Sequence, residues 1–104
     1  MAPPRLTKSM IAVLEVLIAA TRDAPAWGLS ICMDADLGSG TVYPLLDRLS
    51  ELGWVSSWQE TGAHPGRPPR RYYELTNTGR VQALAALRTR RERRLRPLGG
   101  AAAS

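Results

Sequence analysis

The sequence predicts a mainly α fold carrying one small β-hairpin, in the order helix, helix, helix, hairpin, helix. Three observations predict it. Apolar residues recur at helical spacing over Met10–Ile18, Val42–Leu52 and Val81–Leu87. Two β-rich runs, Trp54–Glu60 and Arg70–Leu75, flank a segment too rich in proline and glycine to be a strand. With 104 residues, 44% hydrophobic and 22% charged, the chain can fold as one small domain and no more. Its lone Cys32 excludes an intrachain disulfide, and one histidine with one cysteine cannot build a zinc site. Packed elements must therefore hold the fold.

The first helix is expected over Thr7–Thr21. Thr7 suits an N-cap, and Leu6 before it can pack on Ile11. Met10, Val13, Leu14, Leu17 and Ile18 form its apolar stripe, and Arg22-Asp23-Ala24-Pro25 ends it. The same stretch superficially resembles a secretory signal, with Arg5 and Lys8 ahead of an apolar run and Ala24-Pro25-Ala26 behind it. Glu15 in the middle of the run argues against that, and the run falls short of the roughly 20 apolar residues a bilayer requires. A soluble helix is the expectation.

A second, shorter helix is expected over Leu29–Ala35, with Ile31, Cys32 and Ala35 facing the core. Cys32 reads as a small packed residue rather than a reactive thiol. The third helix is expected over Thr41–Leu52, starting at Ser39–Thr41 because Pro44 is tolerated in a first turn. Val42, Leu45, Leu46, Leu49 and Leu52 form its buried stripe, and Gly53 is a natural stop. Its opposite face holds Gly40, Thr41, Tyr43, Pro44, Asp47 and Arg48, a small, polar and aromatic set. After the hairpin, Thr76 can cap a fourth helix through Val81, Leu84 and Leu87. Residues 1–5 are expected to form an N-terminal arm, 6–87 one domain that includes the start of the last helix, and 88–104 an Arg-rich tail whose end is expected to be disordered.

Charge is unevenly distributed. Residues 1–60 carry four basic groups (Arg5, Lys8, Arg22, Arg48) against seven acidic ones, whereas residues 61–104 carry ten arginines against Glu74 and Glu92. Such a localised basic excess is the footprint of a polyanion-binding surface. Three helices followed by a basic hairpin is the order of a winged helix-turn-helix. In that arrangement Ser39, Thr41, Tyr43 and Arg48 of the third helix approach the DNA, and Arg67, Arg70 and Arg71 of the wing meet phosphate or a narrow minor groove. Two readings stay open for Ser39, helix cap or DNA contact, and two for Tyr43, base contact or a ring packed on the wing. Arg70 and Arg71 alternate across a strand, so at most one faces DNA. Arg67, between Gly66 and Pro68, is expected at a stiff, exposed tip, and His64 in the wing is expected to be exposed.

The run Gly40-Thr41-Val42-Tyr43-Pro44-Leu45-Leu46-Asp47-Arg48-Leu49, followed by Gly53, resembles the recognition-helix motif of PadR-like transcriptional regulators. Gly66-Arg67-Pro68-Pro69-Arg70-Arg71-Tyr72-Tyr73-Glu74-Leu75-Thr76-Asn77-Thr78-Gly79 is similar to that family's wing and the start of its last helix, and Trp27-Gly28-Leu29-Ser30-Ile31 to the start of its second helix. The resemblance spans Leu6–Leu87. It implies a bacterial, cytoplasmic, nucleoid-associated repressor that binds an inverted-repeat operator in double-stranded DNA as a homodimer. It also implies a dimer seam on the last helix. With help from the first helix, the seam residues would be Leu14, Val81, Leu84 and Leu87. The fourth helix here departs from that pattern in carrying few large apolar residues and no aromatic one.

No paired nucleophile and base, metal-ligand spacing or phosphate-cradling glycine loop supports an enzyme, and no metal or organic cofactor is expected. A small-molecule effector is left open. Two other readings remain: a winged helix used as a protein-interaction module, and a small architectural or excision-type DNA-binding factor.

Overall fold

In a computed structural model of the chain, which describes residues 4–62 and 65–95, Thr7 opens the first helix. Its Oγ1 accepts from the Met10 N–H at 3.1 Å, and α1 spans Lys8–Ala19. The helix stops two residues short of the expected Thr21. Thr21 and Ala24 exchange backbone hydrogen bonds at 3.2 Å each, and Thr21 Oγ1 accepts from the Ala24 N–H at 3.0 Å. That tight turn delivers a two-residue strand, β1 (Ala26–Trp27). So short a strand leaves no periodicity to read in the sequence.

Helix α2 (Gly28–Ala35) starts directly from it. Ser30 Oγ accepts from the Trp27 N–H and donates to the Trp27 carbonyl, both at 2.9 Å. Asp36, in the left-handed region at φ 56°, turns the chain, and α3 spans Ser39–Glu51 behind the N-cap Gly38. Pro44 is the sixth residue of α3, in its second turn rather than its first. The Gly40 carbonyl accordingly receives no proline N–H there. The other end is a Schellman motif, with the Trp54 N–H on the Leu49 carbonyl at 2.9 Å and the Gly53 N–H on Ser50 at 3.0 Å. Gly53 has φ 78°, which a side chain would strain.

Strands β2 (Val55–Gln59) and β3 (Arg71–Leu75) form the wing hairpin, with Ser57 opposite Tyr73 and Trp58 opposite Tyr72. The sheet is three-stranded, in the order β1-β3-β2, since Ala26 pairs with Tyr73 and Trp27 with Tyr72. Thr76 then joins hairpin to helix. Its hydroxyl donates to the Gly53 carbonyl at 2.8 Å and accepts from the Gly79 N–H at 2.9 Å, capping α4 (Asn77–Leu95). The helix continues unbroken past Leu87, so residue 88 marks a change of composition and not of secondary structure. Residues 96–104 and His64 lie outside the described residues.

The core joins α1 (Met10, Val13, Leu14, Leu17), α2 (Ile31, Cys32), α3 (Val42, Leu46, Leu49) and the sheet (Val55, Tyr73, Leu75). Leu14 is fully buried there, so it has no surface to offer a second copy, and its expected place in a dimer seam is corrected. Its spacing belongs to the core face of α1. Helix α4 buries only Gly79 and Ala83, while Val81 and Leu84 are exposed.

Candidate nucleic-acid interface

One face of α3 is anchored by Val42, Leu46 and Leu49, which forces Ser39, Gly40, Thr41, Tyr43, Pro44, Asp47 and Arg48 outward, and all seven are exposed. Gly38 caps the helix through its carbonyl, which accepts from the Thr41 and Val42 N–H groups at 3.0 Å, and no capping side chain bonds the positive end of the helix dipole. Ser39 is the first helical residue and not the cap. Tyr43 is 40% exposed, yet its phenol end lies over Gly28, where any Cβ would overlap the hydroxyl oxygen. Tyr43 thus reaches across to the start of α2, and glycine at 28 is what makes room for it.

The wing base presents arginines to the same side. Tyr43, Trp27, Gly28 and Leu29 line an open groove of about 420 Å³ with Arg67, Pro68, Pro69, Arg70 and Arg71. Arg71 is exposed on the sheet face that also carries Tyr73. Burial pushes the Tyr73 phenol up, Arg71 opposes this, and Tyr43 and Asp47 reinforce it, so these groups are electrostatic neighbours. Arg70 lines the groove as well, but its side chain is engaged within the protein. Its guanidinium carbon lies 4.1 Å from the centroid of the Trp27 ring, a cation–π stack that ties the wing to β1.

Arg67 is exposed, and its guanidinium is engaged within the wing. Its Nη1 donates to Glu60 Oε1 at 2.8 Å and Nη2 to Oε2 at 3.4 Å, while Nη1 also reaches the Pro68 carbonyl at 3.3 Å. Glu60 is held from across the hairpin as well, by the N–H of Arg70 just before β3 and the hydroxyl of Tyr72 in β3, each at 3.2 Å. Tyr72 in turn stacks on Trp58, ring centroids 5.7 Å apart. Glu60 and Trp27 were absent from the expected site. For Glu60 the signal lay in the hairpin register, since Glu60 and Arg70 end the two expected strands and so face each other; Trp27 sits in β1, which the sequence does not mark.

Hydrogen bonding from Arg67 first, then from the Arg70 amide and Tyr72, outweighs desolvation and holds the Glu60 carboxyl at about 2 against an ordinary 4.5. A depressed carboxyl stabilises the folded state fully above its unfolded pKa, and the contribution fades as pH falls from about 4.5 toward 2. Carboxyl-carbon NMR of Glu60 should therefore show almost no titration between pH 7 and about 4. A midpoint near 4.5 would mean that the wing cluster does not form.

Among the described residues no group of His, Cys, Asp and Glu could hold a metal ion, and no helix is long and apolar enough to cross a membrane. A family model described as the transcriptional regulator PadR-like family matches residues 17–85. A PadR family transcription regulator from Clostridium difficile R20291 superposes with a TM-score of 0.68 at 22% identity, over 85% of this chain and 92% of its own. A PadR-like transcription factor from Bacteroides fragilis gives 0.59 at 29% identity, over 82% and 84%. The structure of overoxidized AbfR bound to DNA gives 0.61 at 29% identity, over 80% of this chain and 56% of that one. No curated protein sequence matches the chain.

Proposed function

The chain belongs to the transcriptional regulator PadR-like family, and on that premise we propose that it is a bacterial repressor binding an inverted-repeat operator as a homodimer. The observation that carries the reading is the exposed N-terminal half of α3 lying beside a groove walled by the wing arginines. Thr41 and Tyr43 stand where side chains reach base edges in the major groove. Ser39 and Arg48 suit phosphates on either side, and Arg67 and Arg71 suit phosphate or a narrow minor groove. Arg70, stacked on Trp27, is assigned to holding the wing in place and no longer to the DNA. A regulator of this kind works in the cytoplasm, on the nucleoid.

DNA retardation at several salt concentrations tests the reading against a protein-interaction module. Each neutralised phosphate contributes about 0.9 to the slope of log K against log salt, so a true DNA binder shows a slope of several units. A flat dependence, or no retardation, would remove DNA from the account.

The dimer rests on α4, where Val81, Leu84 and the partly buried Leu87 lie at helical spacing. Leu84→Arg places a charge at the centre of that stripe without entering the core. Sedimentation should show the wild type as a dimer and this variant as a monomer of unchanged helical content. A wild-type chain that stays monomeric at high micromolar concentration contradicts the dimer.

A further inference from the structure

The wing holds a carboxylate among the arginines that face the polyanion, which an interface built for affinity alone would not contain. We propose that Glu60 is an internal stand-in for a DNA phosphate: it occupies the Arg67 fork in the free protein and yields it to phosphate on binding. This rests on the DNA-binding reading above.

The geometry separates a fixed partner from a movable one. Glu60 follows the end of β2 and is fastened across the hairpin by two groups, the N–H of Arg70 just before β3 and the hydroxyl of Tyr72 within it, each at 3.2 Å. Its own backbone N–H donates to the Arg70 carbonyl at 2.7 Å, which fixes the residue from which the side chain springs. The Glu60 side chain is 17% exposed, the Arg67 side chain 37%. Arg67 stands on the turn before Pro68, outside any strand, on a long side chain that can swing.

Charge chemistry makes the exchange nearly balanced. A guanidinium presents the same paired N–H fork to a carboxylate as to a phosphate. When Arg67 moves to DNA, Glu60 keeps the Arg70 amide and the Tyr72 hydroxyl, so it is not left without donors. It remains a negative charge beside a polyanion, however, and that repulsion lowers affinity for every duplex. Glu60 is therefore a positioning residue that limits how tightly the wing grips DNA, independently of sequence.

Glu60→Gln keeps an acceptor for the Arg70 N–H and the Tyr72 hydroxyl and removes the charge that competes for Arg67. Its affinity for a scrambled duplex should rise about two- to fivefold over wild type, the range an exposed ion pair supports. In an Arg67→Ala background the same substitution should give a clearly smaller gain, because the competition has no subject there. An unchanged or weakened affinity, or an equal gain with and without Arg67, overturns the proposal. Should Glu60→Gln fail to fold, wild-type NMR answers instead. The Arg67 Nε and Glu60 carboxyl-carbon resonances should both shift on saturation with duplex, and their constancy would overturn the exchange. Wild-type protein that binds no duplex at all would refute DNA binding itself, a different result.

Discussion

Tyr43→Ala is expected to lower affinity for the operator by about 1–3 kcal/mol while leaving binding to a scrambled duplex nearly unchanged. The size follows from position. Tyr43 is exposed at the N-terminal half of α3, where a ring or phenol reaches base edges, and phosphate contacts elsewhere carry the sequence-independent part of binding. The phenol also lies against Gly28, so a purely structural role predicts something different: lowered stability and equal losses on both duplexes. Gly28→Ala provides an independent approach. A methyl there displaces the phenol and should reproduce the loss of discrimination with Tyr43 itself intact. Titrations of both variants against operator and scrambled duplex, beside thermal melts, separate the two roles.

Gly79→Ala should destabilise the fold by about 2 kcal/mol or more, within the usual cost of overpacking a close contact. A Cβ at Gly79 would overlap the Trp54 carbonyl, a backbone group that cannot rotate away. The same carbonyl receives the Thr76 N–H at 2.8 Å, and Thr76 caps α4 through Gly79. One methyl therefore pushes the last helix off the end of the hairpin. On an ordinary exposed helix surface the same change would be stabilising, because alanine favours helix over glycine by about 1 kcal/mol. Chemical denaturation decides between the signs, and a stabilised Gly79→Ala would show that α4 does not dock as described.

Much of this architecture was legible because local rules and tertiary packing agree. Thr7, Gly53 and Thr76 mark their helix ends by side-chain or backbone chemistry that acts within a few residues. Of the expected stripe on α3, Val42, Leu46 and Leu49 are buried and Leu45 and Leu52 are partly buried at its margins, which fixed the outward face of α3 in advance. What escaped the sequence depends on partners distant along the chain. Strand β1 exists only because β3 pairs with it. Leu14 has the same spacing whether it faces a core or a second copy, and only the arrival of α2 and α3 decides. Arg67 and Arg70 read as two similar cations. The fold gives one to a carboxylate and the other to an indole ring, neither of which adjoins it in sequence.

Selection of bound DNA from a random duplex library by the purified chain tests the central claim most directly. The account predicts enrichment of a single inverted repeat whose half-sites lie about one helical turn, or a multiple of it, apart. Recovery of sequences with no common motif, or of none above background, would contradict a sequence-specific dimeric regulator.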